Sequence, residues 1–178
     1  MVFEESFSVA PMMEWTDRHC RYFHRLLSNS AVLYTEMISA DALIFGPRHN
    51  LLVFNNEELP CVLQLGGNDP KKLALAAQYG QDYGYSKINL NIGCPSNRVQ
   101  SGAFGACLMK DPKLVAECVK TIQNNCQIPI TIKCRIGVDY MHTVQGLDNF
   151  VDEVSEAGVK LFVIHARKAL LNLSLIHI

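Results

Sequence analysis

Ser86-Lys87-Ile88-Asn89-Leu90-Asn91-Ile92-Gly93-Cys94-Pro95 decides how the rest of the chain is read. Ile88, Leu90 and Ile92 recur at period two, the spacing of a buried strand. A Gly-Cys-Pro corner follows at once. Gly93 lets backbone approach where a side chain would block it, and Pro95 fixes φ and donates no hydrogen bond. Cys94 is thereby expected to be presented at a sharp strand-to-loop bend rather than packed. Gly102, Ala103, Gly105 and Ala106 continue as a small-residue turn that allows close backbone approach. Taken alone, the corner marks a reactive thiol as one reading and a small buried hydrophobe as the other.

Outward from that strand, strand-like and helix-like segments alternate. Phe7 to Met13, Val32 to Met37, Pro60 to Gly67, Ile128 to Gly137 and Val159 to Arg167 read as further strands. Thr16 or Asp17 can cap a helix that places Cys20, Phe23, Leu26 and Leu27 on one face. An Ala/Ile/Leu-rich segment spans Ser39 to Phe45. Asp69-Pro70 and Asp111-Pro112 are N-cap and first-turn pairs for helices through Tyr83 and to about Asn124. A last helix runs from Phe150 to Ala157, closed by Gly158. Six βα-like units in alternation imply an α/β fold with a parallel sheet. Gln64, Asn91, Cys94, Lys133, Arg135 and His165 all fall at C-terminal strand ends, which converge on one mouth in a barrel. No Gly-x-Gly-x-x-Gly follows the first strand, which weakens a dinucleotide-binding open sheet.

Composition bounds the partners. The chain has 178 residues, 49% of them hydrophobic, enough for one sizeable core. A formal net charge of -1 offers no global attraction to RNA or anionic lipid, so any such contact needs a local patch. Seven cysteines without a Cys-x-x-Cys or paired His spacing argue against a metal site and a disulfide framework. Reduced thiols in a cytoplasmic protein fit better. The acidic start Met1-Val-Phe-Glu-Glu-Ser is unlike a signal peptide. No apolar run reaches the roughly 18 residues of a membrane span.

Six collinear motifs carry a resemblance. Ala10-Pro11-Met12-Met13, Thr35-Glu36-Met37, Leu63-Gln64-Leu65-Gly66-Gly67, Asn91-Ile-Gly-Cys94-Pro95 with Gly105-Ala106-Cys107-Leu108-Met109, Ile132-Lys133-Cys134-Arg135-Ile136-Gly137 and His165-Ala166-Arg167 resemble the tRNA-dihydrouridine synthases. His19-Cys-Arg-Tyr-Phe-His-Arg-Leu-Leu and the segment between Gly137 and Gly158 are most similar to the A subfamily, which acts on the tRNA D-loop at positions 20 and 20a. The resemblance runs from about Phe7 to Leu171.

It implies a (β/α)8 TIM barrel, incomplete here, with about the first six βα units present. Residues 1–172 would be the N-terminal part of a flavin-binding catalytic domain and 173–178 a non-native tail. The last two strands and the C-terminal helical tRNA-binding domain would be absent, and the piece alone poorly soluble and inactive. The implied activity is an oxidoreductase reaction: FMN, reduced by NADPH, passes hydride to C6 of a flipped-out uridine while a cysteine protonates C5, giving dihydrouridine in tRNA. Such a cysteine acts as a thiol, so its pKa should not be strongly depressed.

Position by position, the resemblance makes Cys94 the proton donor. Pro11, Met12 and Met13 lie against the flavin. Gln64 hydrogen-bonds its edge, Lys133 supplies a cation, and His165 makes a further flavin contact. Asn91 meets the substrate uridine. Arg135 and Arg167 would touch phosphate or RNA. Glu36 is expected to pair with Lys133 or Arg135, and the remaining cysteines to pack. His49 and His142 are placed in solvated loops. No metal and no membrane are implied, and oligomeric state is left open. Two alternatives stand beside this reading. One is an inactive fragment or non-catalytic binding module. The other is a Schiff-base aldolase using Lys133, which leaves the Cys94 corner and Gln64 without roles.

Overall fold

The computed structural model describes residues 7–171. The acidic N-terminus and the 173–178 tail therefore lie outside the described residues. Six parallel strands follow one another in chain order, β1 (Ser8–Val9), β2 (Val32–Ser39), β3 (Cys61–Gly66), β4 (Lys87–Ile92), β5 (Ile130–Arg135) and β6 (Phe162–His165). They curl into a half-barrel. Helices α1 (Arg18–Leu27), α2 (Ala40–Phe45), α3 (Arg48–Leu52), α4 (Pro70–Asp82), α5 (Asn97–Ser101), α6 (Pro112–Gln123) and α7 (Thr143–Glu156) fill the connections. This is the incomplete (β/α)8 architecture that the resemblance implies.

The helix starts follow their capping chemistry. Asp69 Oδ1 accepts from the Lys71 and Lys72 N–H groups, and Asp111 Oδ1 from Leu114, each with proline in the first turn. Asp17, rather than Thr16, caps α1 through the Cys20 N–H. Helix α7 begins seven residues before the expected Phe150, because His142 Nδ1 accepts from the Gln145 N–H and opens it at Thr143. Beyond its C-cap, Gly158 takes φ +106°, a conformation that suits glycine. The first strand is shorter than expected. After Val9 the chain leaves for an irregular loop in which the Met12 carbonyl accepts from Trp15 and Thr16.

Period two sorts the strand side chains into two layers. Leu63, Leu65, Ile88, Leu90, Ile130 and Ile132 join the core shared with Ala76, Ala77, Val115, Val119 and Ile122 of the helices. Fully burying each such aliphatic side chain contributes roughly 1.5–3 kcal/mol. The opposite set faces the barrel interior. A small apolar cluster of Val32, Tyr34 and Val62 sits apart from the main core, and polar residues follow it toward the C-terminal strand ends.

Helix α1 departs from the expectation. Phe23, Leu26 and Leu27 are 58%, 67% and 70% exposed, whereas Arg21 and Arg25 are buried. Arg21 Nε meets Glu58 Oε2 at 2.6 Å, and Arg25 donates to the Ser28, Glu58 and Pro60 carbonyls. A buried charge must be paired and hydrogen-bonded, and Glu58, fully buried before β3, supplies that pairing.

Candidate active site

A cavity of about 230 Å³ opens at the C-terminal strand ends. Pro11, Met13, Met37, Gln64, Asn91, Gly93, Cys94, Pro95, Lys133, Arg135 and His165 line it. Each βα unit from the first to the sixth contributes, and every residue expected to hold the flavin, meet the uridine or donate the proton gathers there except Met12. That side chain is exposed on the same loop. Met37, Gly93 and Pro95 also line it, although no sequence signal assigns them a ligand contact. The motif Thr35-Glu36-Met37 marks Met37 without giving it a role.

Side-chain amides build the floor. Asn91 Oδ1 accepts from the Gly93 N–H at 3.1 Å and the Cys94 N–H at 2.9 Å, which fixes the corner. Asn91 Nδ2 donates to Gln64 Oε1 at 2.9 Å, and Gln64 Nε2 donates to Asn89 Oδ1 at 2.8 Å. Asn89 Nδ2 then donates to Thr131 Oγ1 at 2.9 Å, which donates to the Ile88 carbonyl. Registers Gln64↔Asn89 and Asn89↔Thr131 bring these residues side by side on one face of the sheet. Each Gln64 amide atom has capacity for one more hydrogen bond toward the cavity it lines.

The corner is held from its far side too. The Cys94 carbonyl accepts from the Ala106 N–H at 2.9 Å. A Cβ on Gly105 would lie 2.6 Å from that carbonyl oxygen and 2.5 Å from Val99 Cγ1, and φ there is +75°. Gly105 is therefore the glycine the corner requires. A Cβ on Gly93 would meet nothing closer than 3.5 Å, so the close approach expected at that position is ordinary contact. The Cys94 thiol is half-buried, with Sγ 3.4 Å from Ser96 Oγ.

Among the described residues, Lys133 and Arg135 bring cationic groups, and His165 an imidazole, to a lining without a carboxylate. Desolvation, then the Arg135 charge, pulls the Lys133 pKa down. Desolvation followed by the Arg135, Lys133 and Arg167 charges does the same for His165. Arg135 Nε donates to the Gly93 carbonyl at 2.7 Å, tying β5 to the corner. Such a lining favours an anionic ligand, whose charge would relieve the mutual repulsion. Arg167 acts on this group through its charge but does not line the cavity.

Glu36 does not pair with Lys133 or Arg135. Its carboxylate accepts from the Glu14 N–H instead. The other cysteines are free thiols. Cys61, Cys118, Cys126 and Cys134 are buried as expected, while Cys20 and Cys107 are half-buried. Burial pushes Cys61 and Cys118 up to about 12 and Cys134 to about 11. His49 is exposed on α3, against the Tyr83 hydroxyl. Among the described residues no His/Cys/Asp/Glu group is arranged to hold a metal. Among them, no helix is long and apolar enough to cross a membrane.

Comparison with known proteins gives the chain's family. The chain is 57% identical to the tRNA-dihydrouridine(20/20a) synthase of Synechocystis sp. over 165 residues, covering 93% of this chain and 49% of the relative. Against the protein of the same name from Xanthomonas campestris the identity is 56%, again over 93% of this chain and 49% of the relative. Against that from Vibrio parahaemolyticus it is 53%, with 93% and 51% covered. The chain thus spans about half the length of these relatives. Among solved structures, the carboxyl transferase domain of Rhizobium etli pyruvate carboxylase superposes with a TM-score of 0.52 at 14% identity, over 86% of this chain and 24% of that one. That likeness concerns the fold alone. The model of the dihydrouridine synthase (Dus) family matches residues 8–175, and the chain belongs to that family.

Proposed function

We propose that this chain supplies the catalytic corner of an FMN-dependent, NADPH-driven enzyme reducing uridine to 5,6-dihydrouridine in the D-loop of tRNA. The observation that carries the reading is that the Cys94 thiol and the Lys133 amine line one cavity at the strand ends, as cysteine protonation beside a bound anionic cofactor requires.

The lining fits a flavin. Pro11, Met13 and Met37 offer apolar surface, Gln64 retains amide donor and acceptor capacity, and no carboxylate of the lining opposes the cations. Pro11, Met12, Met13, Gln64, Lys133 and His165 would hold the group. When bound, it supplies the hydride that reduces the uracil ring, with NADPH as the source of electrons.

The chain's own residues do the rest. Cys94 Sγ delivers a proton to C5 of the uracil, from a corner whose backbone Asn91 and Ala106 immobilise. Asn91 meets the uridine through the site it anchors. Lys133 and Arg135 stabilise negative charge in a partly desolvated setting, where electrostatic interactions are stronger than in water. The ring must leave the base stack to reach this recess. The reading takes tRNA as the partner and the cytoplasm as the compartment.

Expressing the full reading frame and measuring bound FMN and dihydrouridine in tRNA tests the proposal, with Cys94→Ala as comparison. The variant is expected to retain flavin and lose turnover. Unchanged turnover would remove Cys94 from the mechanism, and a colourless wild-type protein that binds no FMN would remove the flavin.

A further inference from the structure

We propose that Glu36 is the positioning residue for the loop that walls the flavin pocket, acting through the backbone of Glu14; the inference rests on the flavin reading of that pocket. The loop runs from Pro11 to Thr16 and brings Pro11 and Met13 to the cavity. It is not built from a regular element. Trp15 and Thr16 N–H groups both bond the Met12 carbonyl, and the Thr16 hydroxyl bonds the Met12 N–H and carbonyl. This tight turn forces Glu14 to φ +65°, a left-handed conformation that a residue with a Cβ adopts at a cost.

The sequence has no glycine there to relieve that cost. The structure places a carboxylate at the strained peptide instead, with Glu36 accepting from the Glu14 N–H. A charged acceptor makes this a strong hydrogen bond. Two features aim it. Strand β2 carries a bulge between Tyr34 and Met37, where its register against β3 shifts by one residue. Inside the bulge the Thr35 hydroxyl accepts from the Gln64 N–H at 3.0 Å. Bulges of this kind re-aim side chains beside active sites. Here the extra residue lets Met37 line the cavity while Glu36 turns to the loop.

The far end of the same loop is anchored independently. Arg21 Nη1 donates to the Thr16 carbonyl at 2.8 Å, and Arg21 is itself paired with Glu58. Losing Glu36 should therefore free the middle of the loop around Glu14 without releasing Thr16. The disturbance should stay local.

Trp15, the only tryptophan of the chain, sits in that middle stretch and is 72% exposed. It reports loop order without any turnover. In the full-length gene product labelled with 5-fluorotryptophan, Trp15→Phe identifies the fluorine resonance of this position. A single sharp line is expected in the wild type and in Glu36→Gln, whose amide oxygen still accepts the Glu14 N–H. Glu36→Ala should broaden or split that line and weaken FMN binding roughly tenfold, with Glu36→Gln within about threefold of wild type. Amide exchange in β3 and β4 should be unaltered in both variants.

An unchanged Trp15 line and unchanged FMN affinity in Glu36→Ala would overturn the proposal. So would loss of protection throughout β3 and β4, because Glu36 would then support the sheet rather than the loop. If the wild type binds no FMN, the flavin reading fails, and the Trp15 resonance alone still decides whether Glu36 orders the loop.

Discussion

Gly105→Ala is the substitution that most directly probes the cysteine corner. Position 105 has φ +75°, which costs a residue with a Cβ roughly 1–2 kcal/mol. The added methyl would also lie 2.6 Å from the Cys94 carbonyl oxygen and 2.5 Å from Val99 Cγ1, so backbone has to move. Overpacking of this kind costs roughly 1–3 kcal/mol. The shift also strains the Ala106 N–H bond to Cys94, about 1 kcal/mol more. Together these give a loss of roughly 3–6 kcal/mol. Gly84→Ala is the control. Its φ is +90°, yet its Cβ would meet nothing within 4 Å, leaving only the conformational cost.

In urea unfolding, with a slope of about 2 kcal/mol per molar, Gly105→Ala should lower the midpoint by about 1.5 M or more. Gly84→Ala should lower it by under about 1 M. In the full reading frame, and on the proposed function, dihydrouridine formation should fall about 100-fold in Gly105→Ala, because displacing the Cys94 carbonyl moves the thiol by a sizeable part of an ångström. Equal midpoints for the two variants would refute the claim that the corner is closed by contact at Gly105.

Three further outcomes are expected. Glu58→Ala leaves Arg21 charged in a buried site and should destabilise by about 3–5 kcal/mol in chemical denaturation; Glu58→Gln, which can still accept from Arg21, should cost less. Thr131→Val removes the acceptor of the buried Asn89 amide and should cost about 1–3 kcal/mol, while a cost below that of an exposed Thr→Val change would argue against the amide chain. The folded-state pKa of His165 lies below the ordinary 6.5, so the unfolded chain binds the proton more readily and stability falls as pH drops below 6.5 toward the folded value. Urea midpoints between about pH 5 and 7 should show that fall in wild type, and His165→Gln should be flatter over the same range.

Much of this architecture was legible in the letters. Alternating Ile88, Leu90 and Ile92, the Asp-Pro helix starts at 69 and 111, and the polar residues at strand ends are local signals, and local physics honours them. What stayed hidden depends on distant residues. Phe23, Leu26 and Leu27 form an apolar stripe on α1, yet the buried face belongs to Arg21 and Arg25, because Glu58 arrives from far along the chain to pair with them. Period alone cannot announce an ion pair across 37 positions. The early start of α7 escaped because polar residues and Gly146 dilute its apolar pattern before Phe150. The partner of Glu36 is hidden for a similar reason. Only the bulge in β2 and the left-handed Glu14 reveal where its carboxylate goes.

The hydrogen-bonded amides beneath the cavity have a direction. Each hydrogen bond is donated in the same sense, from the Cys94 N–H to Asn91, then Gln64, Asn89, Thr131 and finally the Ile88 carbonyl. Both termini are peptide groups, whose roles as giver and receiver cannot be exchanged. Flipping the Asn91 or Gln64 amide would set donor against donor at one joint and acceptor against acceptor at the other. The orientation of every member is thereby dictated from its ends, and neighbouring dipoles reinforce one another along the line. The recess beside Cys94 is accordingly ready-made, and a ring entering it meets a polarity already settled by the backbone of β4.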